Sequence, residues 1–562
     1  MLIPILGVAA VAASPSMTQS TPTLPDVIRV YQADRDALRR LHPIAISPTR
    51  TERMARLYRE TLAKLDSLTT ADRADQVDAL LLRNHLNFQL AQQEIVTAEL
   101  ASYAYLIPFA PTIVGLEETR RRMEPVDPEA AAATLNELAN QVRAQRNRIG
   151  RDLTADKFTA NRAASASRSL RNTLREWNGF YSGYDPLYTW WCAEPYKAAD
   201  EELRLYADTL REKLVGVKPD DTDAIVGAPI GRDALLAALR FEMIPYTPEE
   251  LIAIGEREYA WCEREMIRAS RELGFGDDWR AALEHVKGLH VAPGEQPNLV
   301  RNLALEAIEF LEARDLVTIP PLAKETWRMS MMSPEQQRVS PFFLGGEQII
   351  VSFPTNTMTH DEKMMSMRGN NRHFSRATVQ HELIPGHHLQ QFMNARNRPY
   401  RSLFSTPFWT EGWALYWEML LWDLGFPVTP EDRIGMLFWR MHRCARIVFS
   451  LKFHLGEMTP EECIDYLVQK VGHERNNAEG EVRRSFAGNY GPLYQLAYMI
   501  GGLQFRAMHA ELVGSGKMTN REFHDAILRE NNIPVAVLRA IMTGAPIPRE
   551  PDRSWRFADP LP

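Results

Sequence analysis

The 562-residue chain is 45% hydrophobic and 24% charged with a formal net charge of -7, which excludes disordered, collagen-like and low-complexity classes and allows a large buried core. Acids and bases are interspersed, with no Lys/Arg block able to follow a phosphate backbone, so nucleic acid is not an expected partner. Cys192, Cys262, Cys444 and Cys463 lie far apart without CxxC spacing and read as buried free thiols.

In chain order, residues 1–13 are apolar, end in small residues and pass into a polar run. Residues 1–22 are therefore read as a signal peptide and polar leader, which predicts a secreted, periplasmic or cell-envelope location even though a basic n-region is missing. No Cys follows the apolar run, so lipidation is not predicted, and no later stretch is long and apolar enough for an integral membrane span. Val77, Leu81, Phe88 and Ile95 share one helical face, as do Leu135, Leu138 and Val142. The Pro-, Gly- and Asp-rich segment from Val217 to Gly231 reads as a surface connection. It divides the chain into an N-terminal helical lobe, residues 23–225, and a C-terminal helical lobe carrying the chemistry, residues 226–562. Thr247-Pro248-Glu249-Glu250, Thr429-Pro430-Glu431-Asp432 and Thr459-Pro460-Glu461-Glu462 each offer a hydroxyl cap, a proline at the first helical position and an acid able to reach back to the cap. One stretch breaks the helical pattern: residues 345–354, β-branched and bounded by glycines and a proline, predict a strand. The expected fold is mainly α, a large two-lobed helical body around a cleft with a small β element.

The chemistry is expected at His381-Glu382-Leu383-Ile384-Pro385-Gly386-His387-His388 and at Glu411. A zinc hydrolase needs nitrogen and carboxylate donors converging on one ion, an open position for water, and a carboxylate to take the proton of that water. The usual HExxH spacing is not present. On an unbroken helix His388 would return to the face of His381 but lie roughly 10 Å further along, at about 1.5 Å per residue. Pro385 and Gly386 should unwind the helix there, which makes His387 the expected second ligand and leaves His388 as the alternative. Glu382, directly after a ligand, is the expected general base. Glu411, with the small Gly412 beside it, is the expected third ligand, and Glu418 a carboxylate that could orient a ligand imidazole.

These segments, with Glu411-Gly412-Trp413-Ala414-Leu415-Tyr416 and Pro492, Gln495, Ala497-Tyr498 and Gly501, resemble the bacterial family known as domain of unknown function 885. Pro229-Ile230-Gly231-Arg232 and Thr247-Pro248-Glu249-Glu250 extend the likeness over most of the chain. That family resembles in turn the gluzincins, largely helical zinc peptidases with a deep cleft. The resemblance implies a zinc metallopeptidase holding one Zn2+ per chain through His381, His387 and Glu411, with Glu382 as base and a peptide as substrate. Thr410 stands where gluzincin aminopeptidases have Asn, and no Gly-x-Met-Glu-Asn segment is present, so aminopeptidase specificity is not implied. Gluzincins often stabilise the oxyanion with a tyrosine, here Tyr498, with Tyr490 as the second candidate. Arg483 and Arg484 could bind a substrate carboxylate, and the strand near Ile349 to Phe353 could pair with an extended substrate. The competing readings are a zinc hydrolase of non-peptide amides or esters, and a helical binding protein that has lost catalysis.

Overall fold

Threonine and proline punctuation divides the chain into helices. Thr247, Thr429 and Thr459 each cap a helix, accepting from the third residue onward while the acid at that position accepts from the threonine backbone, and Thr23, Thr359 and Thr519 repeat the device. Each box satisfies amide groups that a helix start otherwise leaves unpaired. The computed structural model describes residues 23–560 apart from 71, 222, 338, 488 and 489; the leader expected at residues 1–22 lies outside them.

The expected mainly α class is what the chain adopts. Helices Pro128–Arg148, Lys157–Tyr181 and Pro186–Leu210 pack together, burying Leu135, Leu138 and Val142 with Leu174, Trp177 and Tyr206. The helix Arg73–Tyr103 spans two cores: Val77 and Leu81 join the larger one and Tyr103 the smaller, while Phe88 stacks on Phe241 with ring centroids 4.0 Å apart. The apolar packing thus does not divide at a single chain position, since Leu24, Val27, Leu57, Val77 and Leu86 share the larger core with residues from Leu235 to Ala558. The segment after Gly216 runs without helix or strand, among its described residues, up to the helix Gly231–Phe241.

At the centre of the larger core lies the helix Pro430–His454, buried along nearly its whole length and packed against Pro248–Glu272, Arg372–Glu382 and Tyr494–Leu512. A helix enclosed on all sides normally carries apolar residues throughout, yet this one also buries Arg440, His442, Arg443 and Arg446. The helices Pro407–Asp423 and Tyr494–Leu512 meet at Gly412 and Gly501. A Cβ on Gly412 would lie 2.6 Å from the Gly501 backbone, and one on Gly501 would collide with the Phe408 carbonyl.

Two strands, β1 (Arg328–Met331) and β2 (Gln348–Val351), form a parallel pair with Met329 opposite Ile349. The expected strand is thus present but shorter than 345–354, because Pro354 cannot continue a ladder and Leu344 folds back to bridge Ile350 on the other edge, with Ile350 N–H donating to the Leu344 carbonyl at 2.7 Å. Its partner β1, Arg-Met-Ser-Met, carries no alternating pattern and was not foreseen. Among the described residues no single helix is long and apolar enough to cross a membrane, and all four cysteines are buried and free.

Candidate metal centre

His381 and Glu382 are the last residues of the helix Arg372–Glu382. Leu383 N–H still donates to Val379 at 3.0 Å, but the chain then leaves the helix: the Ile384–Pro385 peptide is cis and Gly386 N–H turns back to the Gln380 carbonyl at 3.1 Å. Gly386 lies so close beneath the His381 carbonyl that any Cβ would strike it, so only glycine fits. Trp413 Nε1 donates to the Pro385 carbonyl at 2.9 Å and pins the break to the neighbouring helix. A new helix, His387–Asn394, begins directly after it.

This break brings His387 beside His381, ring centroids 4.9 Å apart and nearly perpendicular. His381, Glu382 and His387 each offer a donor atom within 4.8 Å of the others. Glu411, on the helix Pro407–Asp423, places Oε2 3.2 Å from His387 Nε2 and 3.6 Å from His381 Nε2. Glu382 Oε2 is 3.9 Å from His387 Nε2. Two turns beyond Glu411, Glu418 accepts from His381 Nδ1 at 2.7 Å and so directs Nε2 toward Glu411. His388 points elsewhere, its ring nitrogens 3.1 and 2.8 Å from the carbonyls of Gly346 and Ala323.

The donor set fits a zinc ion. Bonds of about 2.0–2.1 Å at tetrahedral angles require donor atoms roughly 3.3–3.5 Å apart, and Glu411 Oε2 meets the two imidazoles at 3.2 and 3.6 Å. That oxygen is buried without a hydrogen-bond partner, an arrangement costly for a carboxylate unless a cation completes it. The same field acts on protons. Burial opposes charge on His381, but the Glu411 and Glu418 carboxylates beside it override that and raise its pKa to about 9. Burial likewise opposes ionisation of Glu411, yet the two imidazoles facing it, His387 foremost, hold its carboxyl well below the usual range. Glu382 goes the other way: burial raises its pKa, only partly offset by His387 and His381.

A cavity of about 340 Å³ opens onto these groups. Tyr498 lines it, its ring nearly parallel to His381 at 6.1 Å, and burial followed by the Glu411 charge pushes its phenol upward, so it remains a proton donor. Tyr490 lines it too and stacks on Tyr494 at 4.0 Å. Arg484 is on the wall, whereas Arg483 donates to the Asp223 carbonyl at 2.8 Å and is not part of the lining.

The sequence profile described as "Bacterial protein of unknown function (DUF885)" matches residues 35–542. The chain belongs to this family. No curated protein matches it. Among solved structures it is similar to a "putative lipoprotein of unknown function" from Shewanella oneidensis, at 16% identity and a TM-score of 0.67, covering 93% of this chain and all of the other. It is also similar to the "putative lipoprotein" from Colwellia psychrerythraea, at 17% identity and a TM-score of 0.57, covering 93% and 99%. At these identities the likeness is one of fold.

Several residues of this DUF885 site escape a reading of the sequence. Tyr494 donates its hydroxyl to Glu411 Oε1; its position one helical turn before Tyr498 was the available signal. Gly345 lies against Glu382, whose main chain and carboxylate would both collide with a Cβ there. Arg443 and Arg446 line the cavity from the central helix, where their spacing within an otherwise apolar, aromatic segment gave no indication of which way they face.

Proposed function

We propose that the protein is a zinc-dependent metallopeptidase of the cell envelope. The observation that carries this reading is the approach of Glu411 Oε2 to His387 Nε2 and His381 Nε2 at 3.2 and 3.6 Å, separations suited to ligands of one tetrahedral ion, with Glu382 beside them and a cavity in front. His381, His387 and Glu411 would hold the metal, oriented by Glu418 and Tyr494. A zinc ion bound there would supply Lewis acidity, polarising a carbonyl and lowering the pKa of water.

The protein's own groups then perform the proton transfers. Glu382, half-buried at the cavity and with its pKa raised by desolvation, is placed to accept a proton from the attacking water and return it to the leaving amine. Tyr498 keeps its hydroxyl proton and faces the cavity, which suits it to donate to the oxyanion. The floor formed by Leu344 and Ile350 gives an extended substrate an apolar surface next to the donors. The envelope location rests on the apolar residues 1–13 and on the lipoprotein descriptions of the two similar structures; cell fractionation tests it.

Glu382→Gln is the deciding variant. Zinc stoichiometry near one per chain with loss of peptide cleavage is expected, whereas cleavage that survives with zinc retained would refute the assignment of the base. Running peptides beside small amides and esters on the unmodified protein separates a peptidase from a hydrolase of other acyl compounds.

A further inference from the structure

Three arginines line the cavity that holds Glu382. Arg443 and Arg446 come from the helix Pro430–His454 and Arg484 from Arg475–Phe486. All three line the cavity and are nearly enclosed, with side chains only 4%, 4% and 8% exposed.

Two carboxylates stand behind them. Glu481 accepts from Arg446 Nε and Nη2 at 2.7 and 3.0 Å and lies 3.8 Å from Arg484 Nε. Glu418 lies 3.2 Å from Arg443 Nη2 but is shared with His381. His442 and His473, packed against the same network, are held neutral by burial. Three guanidinium groups therefore share the two acids behind them, and Arg443 also feels the charge of Glu382; with Glu382 and Glu411 matched to a divalent cation, one positive charge is left over. Arg443 Nε and Nη1 and Arg484 Nε are enclosed in the wall without partners, while Arg484 Nη2 donates to the Tyr490 hydroxyl at 2.8 Å. Arg443 is held in place by Trp439, whose ring lies 4.7 Å from its guanidinium carbon, and Arg446 stacks at 4.3 Å over Tyr498. Guanidinium groups fixed in the lining of a cavity match the two oxygens of a carboxylate.

We propose that Arg443, Arg446 and Arg484 form a subsite for a substrate carboxylate, either the terminal one of a peptide or an acidic side chain next to the scissile bond. The inference rests on the peptidase reading for its substrate and on this wall for its chemistry. Arg443 is separated from the metal ligand His381 by the single carboxylate of Glu418, and Tyr498 stands between Arg446 and His381. A carboxylate held there would lie in the same cavity as the reacting carbonyl.

The test compares matched ligands on the full-length protein. Calorimetric binding and cleavage are measured for N-acetylated short peptides with a free C-terminus and their C-terminal amides, and for pairs with Glu or Gln next to the cut. The expected result is roughly tenfold or greater preference for one charged partner, the scale of a lost charge-assisted contact; which pair shows it identifies the source. Arg484→Gln, which leaves the Arg446 to Glu481 pair in place, should raise KM for the charged ligand toward that of its neutral counterpart with little change in kcat and unchanged zinc content, and Arg484→Lys should restore part of the preference. Equal binding and cleavage within both pairs on the unmodified protein would overturn the subsite while leaving a peptidase. Charge-selective binding without cleavage of any peptide would support the subsite and refute the peptidase.

Discussion

Replacing Gly412 by alanine tests whether helix packing sets the metal geometry. The new Cβ would sit 2.6 Å from both Cα and the carbonyl carbon of Gly501, and neither can rotate away because both are backbone. Restoring an ordinary carbon contact of about 3.5 Å requires the helices Pro407–Asp423 and Tyr494–Leu512 to part by roughly 1 Å. Overpacking of this kind costs about 1–3 kcal/mol, and a backbone against backbone clash belongs at the upper end. Glu411 is the residue preceding the substitution, so the same displacement disturbs its 3.2 Å approach to His387, whereas metal bonds tolerate only about 0.2 Å. We expect a lower urea midpoint by circular dichroism and at least a tenfold loss of zinc affinity in a competition titration. Gly115→Ala is the control: it lies in the exposed face of the helix Ala110–Arg121 with nothing within 4 Å of the added carbon, so the identical change should stabilise by about 0.5–1 kcal/mol. Unchanged stability and zinc affinity in Gly412→Ala would refute the reasoning.

Two further outcomes follow from the same structure. Glu418→Gln keeps the shape but weakens the 2.7 Å contact to His381 Nδ1, and zinc affinity measured by chelator competition should fall about 10–100-fold. Glu242, which accepts from the Thr406 hydroxyl at 2.6 Å, is pushed up to about 7 by burial. Below about pH 4.5 both folded and unfolded chains hold the proton. Between there and 7 only the folded chain does, so its contribution weakens stability as pH rises and is constant above. Glu242→Gln should therefore stabilise the protein at pH 8 by up to about 3 kcal/mol and flatten that part of the stability profile in urea titrations from pH 4 to 8; a variant no more stable than the parent at pH 8 would contradict it.

Much of this protein can be read in its sequence where the causes are local. Threonine, proline and glutamate in consecutive positions satisfy a helix start on their own, and each of the three boxes singled out caps a helix in the structure. The interruption at Pro385 and Gly386 was legible for the same reason, because one residue lacks a backbone donor and the other a Cβ, and it made His387 rather than His388 the partner of His381. What the tertiary structure alone decided depends on helices far apart in the chain. That Glu418 orients His381, that Tyr494 grips Glu411 and that three arginines share two acids are consequences of how the helices around Pro430–His454 cross. A side chain's partner across such a crossing is set by close packing at places such as Gly412 and Gly501, and neither periodicity nor composition records which face meets which.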